Sequence, residues 1–532
     1  MKGINTSIFD FPTLRDPARN YVYVDKTAQL YELAKPGADC IYYLPRPRRF
    51  GKSLMISTLK ALFLGRRELF RGLAIERTDW SWEKEVYPVL HLDMSKVSSP
   101  TVAGFEGKLG IVLRNVFEDL CLDYDASIPA SDNFLFLLET LPKKSPNGKY
   151  VLLIDEYDAP IAQLLDTEEG RSELPRMRKA LHDFYVQAKA HCGDMRFLMV
   201  TGVSKFAKTS IFSAFNNPCD LTLDTRAADL LGYTHEEMEV YFHDHIQAFA
   251  DEEGVSYDEM FMKLLDWYDS YQFCPKRLVK VVNPVSFGKA LSNRAFANYW
   301  EATAGSTLIC EAIKASSRTP IDFSEEFPLA KLDAPDALTA PATALLYQGG
   351  YLTIEGPSES PGCVRLCIPN LEVRTSLYDG YLGELLGRDF NLGGLEVEAG
   401  KTAKRIAEDP SGEAVKRLLV SAYSKLPHDW VCRDEKEAKR YFIAFMVFAR
   451  AEVVGEEQHS LGRPDAVLRT DRCIYVFEFK YAQSVDAALA QCREKRYADA
   501  YAADGRRVVY IGVNYDPNTR TIDDVKAECV QE

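Results

Sequence analysis

Gly51, Lys52 and Ser53 close the run LPRPRRFGKS (residues 44–53), directly after the apolar Cys40-Ile41-Tyr42-Tyr43. Well downstream, residues 150–158 read YVLLIDEYD. A strand that runs into Gly-Lys-Ser and a second strand that ends in Asp-Glu form the minimal apparatus for holding a magnesium nucleoside triphosphate. Amides of such a loop, and of the helix it opens, point at phosphate oxygens. In that chemistry Lys52 neutralises β- and γ-phosphate charge and Ser53 puts its hydroxyl on Mg²⁺. Asp155 holds the metal through water, and Glu156 polarises the attacking water. Arg48 and Arg49 add positive charge within reach of a phosphate. The tripeptide is weak by itself; the strand before it, the helical pattern after it and the LLIDE strand give it weight. One departure is plain. Five residues before Gly51, where such loops carry a glycine, stands Arg46 between Pro45 and Pro47. Glycine there supplies freedom at positive φ, whereas two prolines fix an extended stretch. The loop is therefore expected to differ from the standard shape.

A second set of chemical residues lies near the C-terminal end: Gly462-Arg463-Pro464-Asp465, then CIYVFEFK at residues 473–480. In a strand Glu478 and Lys480 share one face, with Tyr475, Phe477 and Phe479 on the opposite, core face. Asp465 borders a neighbouring strand at 466–468, and a connection over 469–472 brings it back beside Glu478. Two converging carboxylates repel unless a cation sits between them, and an all-oxygen site suits Mg²⁺. A metal held by Asp465 and Glu478 can polarise a phosphodiester and activate a water. Lys480 would position or deprotonate that water, or neutralise charge on the phosphorane.

The elements that must carry these residues are legible as patterns. Strands are predicted at 41–43, 89–93, 150–155, 197–201 and 219–223, with helices between them at 107–120 and 176–191. That alternation reads as a parallel sheet covered on both faces, with the phosphate loop at its carboxyl edge. Beyond residue 235 the pattern turns helical, at 235–249, 257–268 and 286–292. A helix at 338–346 followed by strands at 351–354 and 364–368 is compatible with a winged helix. Lys401, Lys404, Arg405, Lys416 and Arg417 give residues 394–430 the mixed-charge face of solvated helices.

At 532 residues the chain exceeds one core, and its hydrophobic and charged fractions are those of a globular protein. No apolar run is long enough to span a membrane. The first residues lack a signal-peptide core. Twelve cysteines are scattered without a CxxC pair; Cys363 and Cys367 read as buried small hydrophobes. A reduced, cytoplasmic setting is expected. The net charge of −14 is uneven: residues 1–60 hold ten Lys and Arg against five Asp and Glu, and residues 431–532 hold sixteen against eighteen. The acidic middle is a poor nucleic-acid surface.

RPRRFGKS, preceded by YVDKT at residues 23–27, resembles the AAA-ATPase-like family of bacterial proteins, including its departure from the glycine rule. Phe212-Ser213 to Asn216-Asn217, Asp220-Leu221-Thr222-Leu223, Leu231-Gly232-Tyr233-Thr234 and the Tyr271, Phe273, Asn283-Pro284 segment extend the resemblance over most of residues 5–310. In ATPases of this architecture a polar residue after the fourth strand touches the γ-phosphate or the attacking water; Thr201 and Ser204 both qualify, and a helix-capping turn explains either one equally well. Asp-x₁₂-Glu-x-Lys resembles the PD-(D/E)XK nuclease superfamily, and the helix at 487–497 is similar to that of nuclease domains accompanying this ATPase family. The resemblance implies that Gln491 orients the site and that an upstream glutamate on a helix completes it. Glu437 is the candidate, with Glu456 or Glu457 as contributors from the strand side.

The expected architecture is α/β. Residues 1–235 form an AAA-type P-loop ATPase core, 236–385 a helical lid with a winged-helix-like module, 386–430 a helical connector, and 431–532 a restriction-endonuclease-like domain. ATP and Mg²⁺ are the expected cofactors. Nucleic acid, DNA rather than RNA, is the expected partner, with no membrane; an arginine finger in trans would make the protein a homo-oligomer. Two functions from different classes remain. In one, nucleotide state controls a Mg²⁺-dependent nuclease. In the other, an ATP-driven switch or scaffold uses its C-terminal fold only to bind nucleic acid or protein.

Overall fold

The computed structural model describes residues 1–205, 218–300, 326–332, 340–358, 360–377, 412–424, 432–448, 452–455, 462–502 and 504–530. The family-like segment 212–217, Lys401, Lys404, Arg405, Glu456 and Glu457 lie outside them. The chain divides into two compact units: residues 1–308 with 323–374, and residues 309–322 with 375–532.

The first unit is built on a five-stranded sheet in the order β2-β3-β4-β1-β5. Its strands are β1 (Ile41–Pro45), β2 (Val89–Asp93), β3 (Tyr150–Asp155), β4 (Met195–Gly202) and β5 (Cys219–Asp220). All pairings within it are parallel. Every residue of β3 is buried, as expected for a strand covered on both faces, and this is why YVLLI reads as an unbroken apolar run. Register aligns the carboxyl ends: Asp93 pairs with Asp155, Leu44 with Thr201 and Pro45 with Gly202. The helix Lys52–Phe63 follows β1 across the loop at 46–51, and Gly51 at φ +96° turns the chain into it.

Past residue 234 three helices, His235–Glu253, Tyr257–Tyr268 and Pro284–Asn293, share one apolar core around Phe242, Phe249, Leu264, Tyr268 and Phe287. The first is opened by a full capping box, Thr234 with Glu237. Lys26 of the YVDKT run bonds the Glu237 carboxylate at 2.6 Å and the Asp229 carbonyl at 2.8 Å. Asp25 of the same run accepts the amides of Thr27 and Ala74. The motif thus ties the start of the chain to the sheet domain and to the helical segment. A short helix, Ala342–Gly349, leads into the hairpin of β7 (Thr353–Pro357) and β8 (Cys363–Cys367), joined by β6 (Phe327–Pro328). Glu355 and Arg365 pair across the exposed side of this hairpin.

The second unit carries a mixed sheet in the order β13-β12-β11-β10-β9, formed by β9 (Glu452–Gly455), β10 (Ala466–Arg469), β11 (Cys473–Tyr481), β12 (Arg507–Asp516) and β13 (Thr521–Cys529). Only β11 and β12 run parallel; a parallel pair needs a crossover, and the helix Val485–Glu494 supplies it. Both faces of β11 are buried. Phe442 of the helix Glu435–Phe448 packs with tilted rings against Phe477 and Phe479, while Ile474 and Val476 meet Leu489 and Cys492. The helix Glu413–Ser424, expected within a separate connector, packs on β13 inside this unit. Its apolar stripe needs a partner, and the open face of β13 provides one.

Candidate functional site

At the carboxyl edge of the first sheet, Lys52 is 3% exposed and its ammonium bonds the Arg46 and Pro47 carbonyls at 3.0 and 3.1 Å. It also lies 3.8 Å from Glu156 Oε1. Glu156 follows Asp155 at φ +50°, a left-handed turn that swings its carboxylate back over the loop. Burial pushes the Glu156 carboxyl upward, and Lys52 opposes that shift. Asp155 is almost fully buried and accepts the Thr201 hydroxyl at 2.5 Å. Ser53, Asp155 and Glu156 line one pocket of about 240 Å³, together with Asp10, His91 and Asp93. Arg48 is exposed at the loop tip and close enough for its charge to act on Glu156.

Two of the expected phosphate-site residues are engaged elsewhere. The Ser204 amide and hydroxyl both donate to Asp158 Oδ2, at 2.7 and 2.6 Å, so Thr201 is the hydroxyl that reaches the Asp155 carboxylate. Arg49, at φ +68°, donates to the Tyr299 carbonyl at 3.1 Å and faces Glu372 rather than the loop interior. Asp158 itself carried no sequence signal beyond its place after LLIDE.

The unusual loop has a physical explanation. The Arg46 side chain is buried, donates to the Thr222 and Ala227 carbonyls at 2.9 and 3.0 Å, and stacks 4.3 Å over the Phe273 ring. Where a glycine would have left a flexible turn, this arginine anchors the loop to the segment after β5. Pro47 packs against Gly350, where any added Cβ would come within 2.7 Å of it. An apolar pocket lies on the other side of Gly51, lined by Tyr23, Val24, Leu54, Leu230 and Tyr233.

In the second unit, Ala466 pairs with Phe477 across β10 and β11, which sets Asp465 opposite Glu478. Asp465 Oδ2 accepts the Phe479 amide at 2.7 Å, and Oδ1 accepts the Lys439 ammonium at 2.8 Å. Glu478 is 2% exposed. Its Oε1 accepts Lys480 at 3.0 Å, while Oε2 is buried with no hydrogen-bond partner. Burial first, then the Asp465 charge, push the Glu478 carboxyl up to about 7, against the pull of Lys480. Gln491 bonds the Tyr497 hydroxyl, which feels the charges of Glu478 and Asp465.

The helix turns toward Asp465 and Lys480 a different glutamate from the one expected. Glu437 accepts the Arg433 amide, and its own amide donates to Asp434, so it caps its helix. Glu435 instead lies 3.9 Å from Lys480 and interacts with Asp465 and Lys439. Helical spacing explains the exchange: residues 435, 439, 442 and 446 fall on one face, and Phe442 fixes that face against β11. Projecting back from the apolar Phe442 and Met446 would have found Glu435.

The donor set suits a hard divalent cation. Two carboxylates meet in a buried place, and one oxygen of Glu478 lacks any partner, a costly state unless something positive joins it. Among the described residues no group of three or more His, Cys, Asp or Glu is arranged to hold a metal ion. None of the described helices is long and apolar enough to cross a membrane.

Comparison with known proteins agrees with this division. Residues 5–212 match the family described as "Predicted AAA-ATPase", and residues 433–525 match the PD-(D/E)XK nuclease superfamily. Over 534 aligned positions the chain is 30% identical to the "Uncharacterized protein in vnfD 5'region" of Azotobacter chroococcum mcd 1, with 98% of each chain covered. The parallel sheet with its phosphate loop falls within the first matched segment, and the paired carboxylates within the second. The chain belongs to the AAA-ATPase-like family and carries a PD-(D/E)XK nuclease superfamily domain at its C-terminal end.

Proposed function

We propose that this protein binds and hydrolyses ATP in its first unit and uses the nucleotide state to control a Mg²⁺-dependent nuclease in its second, acting on nucleic acid, DNA in preference to RNA, in the bacterial cytoplasm. The observation that carries the reading is Glu478, a buried carboxylate with one unpartnered oxygen, set opposite Asp465 in the same chain as the Lys52, Glu156, Asp155 and Thr201 cluster.

In the first unit Lys52 leaves its loop carbonyls for β- and γ-phosphate oxygens, with Arg48 adding charge from the loop tip. Ser53 and Asp155 would hold Mg²⁺. Glu156 polarises the attacking water, and Thr201 senses the γ-phosphate through Asp155. The apolar pocket beside Gly51 takes the base. In the second unit Asp465 and Glu478 would hold Mg²⁺, whose charge would serve to polarise the phosphodiester. Lys480 orients the water, Glu435 replaces Glu437 as the helix-borne acid, and Gln491 acts through Tyr497. A second copy supplying an arginine would complete the ATPase.

A second reading, a nucleotide-driven switch whose C-terminal unit binds without cutting, is favoured by one observation: Lys439 and Lys480 already neutralise oxygens of Asp465 and Glu478. Cleavage of a mixed DNA and RNA panel with Mg²⁺, with and without ATP, separates the two when wild type is compared with Lys52→Ala and Glu478→Gln. The nuclease reading expects cleavage to vanish in Glu478→Gln and to lose its ATP response in Lys52→Ala. Hydrolysis of ATP with every substrate left intact would sink the nuclease and leave the switch.

A further inference from the structure

The Asp465 carboxylate has both oxygens engaged before any metal arrives. Oδ2 is held by the Phe479 amide, a backbone group of β11 that cannot leave without breaking the strand. Oδ1 is the oxygen open to exchange, and Lys439 sits on it at 2.8 Å. On the neighbouring strand the same division holds for Glu478, with Lys480 on Oε1 and Oε2 unpartnered. A divalent cation shared by the two carboxylates would most readily take Asp465 Oδ1, the oxygen not tied to the backbone, together with the unpartnered Oε2 of Glu478. Lys439 therefore stands where that bridge would form. A cation on the same carboxylate oxygen would be a near neighbour of the ammonium, and two positive charges close together in a mostly buried place repel strongly.

Lys439 has somewhere else to go. Its side chain is 15% exposed, its stem is long and flexible, and it projects from a helix. Glu435 lies one turn earlier on the same helix and already interacts with it electrostatically. Glu before Lys at i,i+4 is the favourable orientation for such a pair. Rotation of the lysine stem would exchange Asp465 for Glu435 with no backbone movement.

We propose that Lys439 is an internal counter-ion of the nuclease-like site: it neutralises Asp465 in the metal-free state, competes directly with the divalent cation, and swings to Glu435 when the cation binds. The site is then closed at low metal and opens only when the cation displaces the lysine. This rests on the reading of Asp465 and Glu478 as metal ligands.

Mn²⁺ binding to the full-length, nucleotide-free protein, followed by the loss of the free-ion electron paramagnetic resonance signal, tests the idea without reference to cleavage. Glu478→Gln identifies which binding belongs to this site. Lys439→Met is expected to tighten Glu478-dependent binding about tenfold, while Lys439→Arg, which keeps the charge, stays within about twofold of wild type. Lys439→Gln removes the charge but keeps a polar head, and covers the case in which the methionine variant does not fold; the same tightening is expected. Glu478-dependent binding in wild type that neither charge-free variant strengthens would overturn the counter-ion and leave the metal ligands standing. If no variant and no wild-type sample has a Glu478-dependent Mn²⁺ site, the metal reading and the counter-ion fall together.

Discussion

Two pairs of side chains carry the proposed chemistry, and each makes a claim that a single substitution can check. Glu478 is held up to about 7 by burial and by Asp465, so the folded protein binds this proton more tightly than an unfolded chain, whose glutamates titrate near about 4.3. The sign follows. The contribution of this group to stability is present below the unfolded value and is lost as pH rises toward 7. In chelator, wild type is expected to lose roughly 2–3 kcal/mol relative to Glu478→Gln between pH 5 and pH 8, read from urea unfolding; parallel curves at both pH values would contradict it. At the other site, Thr201 touches Asp155 whereas Ser204 is bound to Asp158. Thr201→Val is expected to slow ATP hydrolysis at least tenfold with binding retained. Ser204→Ala should leave hydrolysis near wild type and cost about 1 kcal/mol of stability. The reverse pattern would assign the sensor role to Ser204.

Elements position these residues through close approach and capping. Gly512 lies on β12 under the crossover helix, and an added Cβ would meet the Val485 carbonyl oxygen at 2.8 Å and Leu489 at 3.1 Å. Gly512→Ala is expected to push that helix off the sheet at a cost of about 1–3 kcal/mol, and with it Gln491 and its contact to Tyr497. Denaturant unfolding should register the first effect and Mn²⁺ affinity the second. Thr234→Ala removes the capping box of His235–Glu253, with an expected loss of about 1 kcal/mol. Most of these elements were readable beforehand, because the parallel strands are apolar without interruption and the helices repeat at 3.6 residues. Tyr257–Tyr268 has the predicted ends, set by the Ser256 cap and the helix-ending Asp269. β5 is shorter than the predicted 219–223, since only Cys219 and Asp220 pair with β1; the next residues turn to present carbonyls to Arg46.

For the molecule as a whole, the helical segment joins the ATPase sheet in one unit, while Glu413–Ser424 joins the nuclease-like sheet in the other. Two units of this kind predict two calorimetric transitions. A non-hydrolysable ATP analogue with Mg²⁺ at about a hundred times its Kd should stabilise the first unit by about 2.7 kcal/mol. The same addition to Lys52→Ala should leave both transitions in place. A single transition that shifts as one with nucleotide would show the units to be thermodynamically inseparable.

By itself the sequence determined the two domain families and where their motifs lie. Gly-Lys-Ser after a strand, LLIDE, and Asp-x₁₂-Glu-x-Lys are local patterns, and the forces behind them act over a turn, a strand or a hairpin. The pairing of Asp465 with Glu478 was legible for the same reason, because antiparallel register is set by a short connection. Only the tertiary structure decided which of several similar residues faces each candidate site. Glu435 rather than Glu437, Thr201 rather than Ser204, Arg48 rather than Arg49, the anchoring of Arg46 and the pairing of Lys439 with Asp465 all depend on contacts between elements distant in the chain. A helix one residue out of phase turns its side chains by about 100°, and it is packing, here Phe442 on Phe477 and Phe479, that fixes the phase.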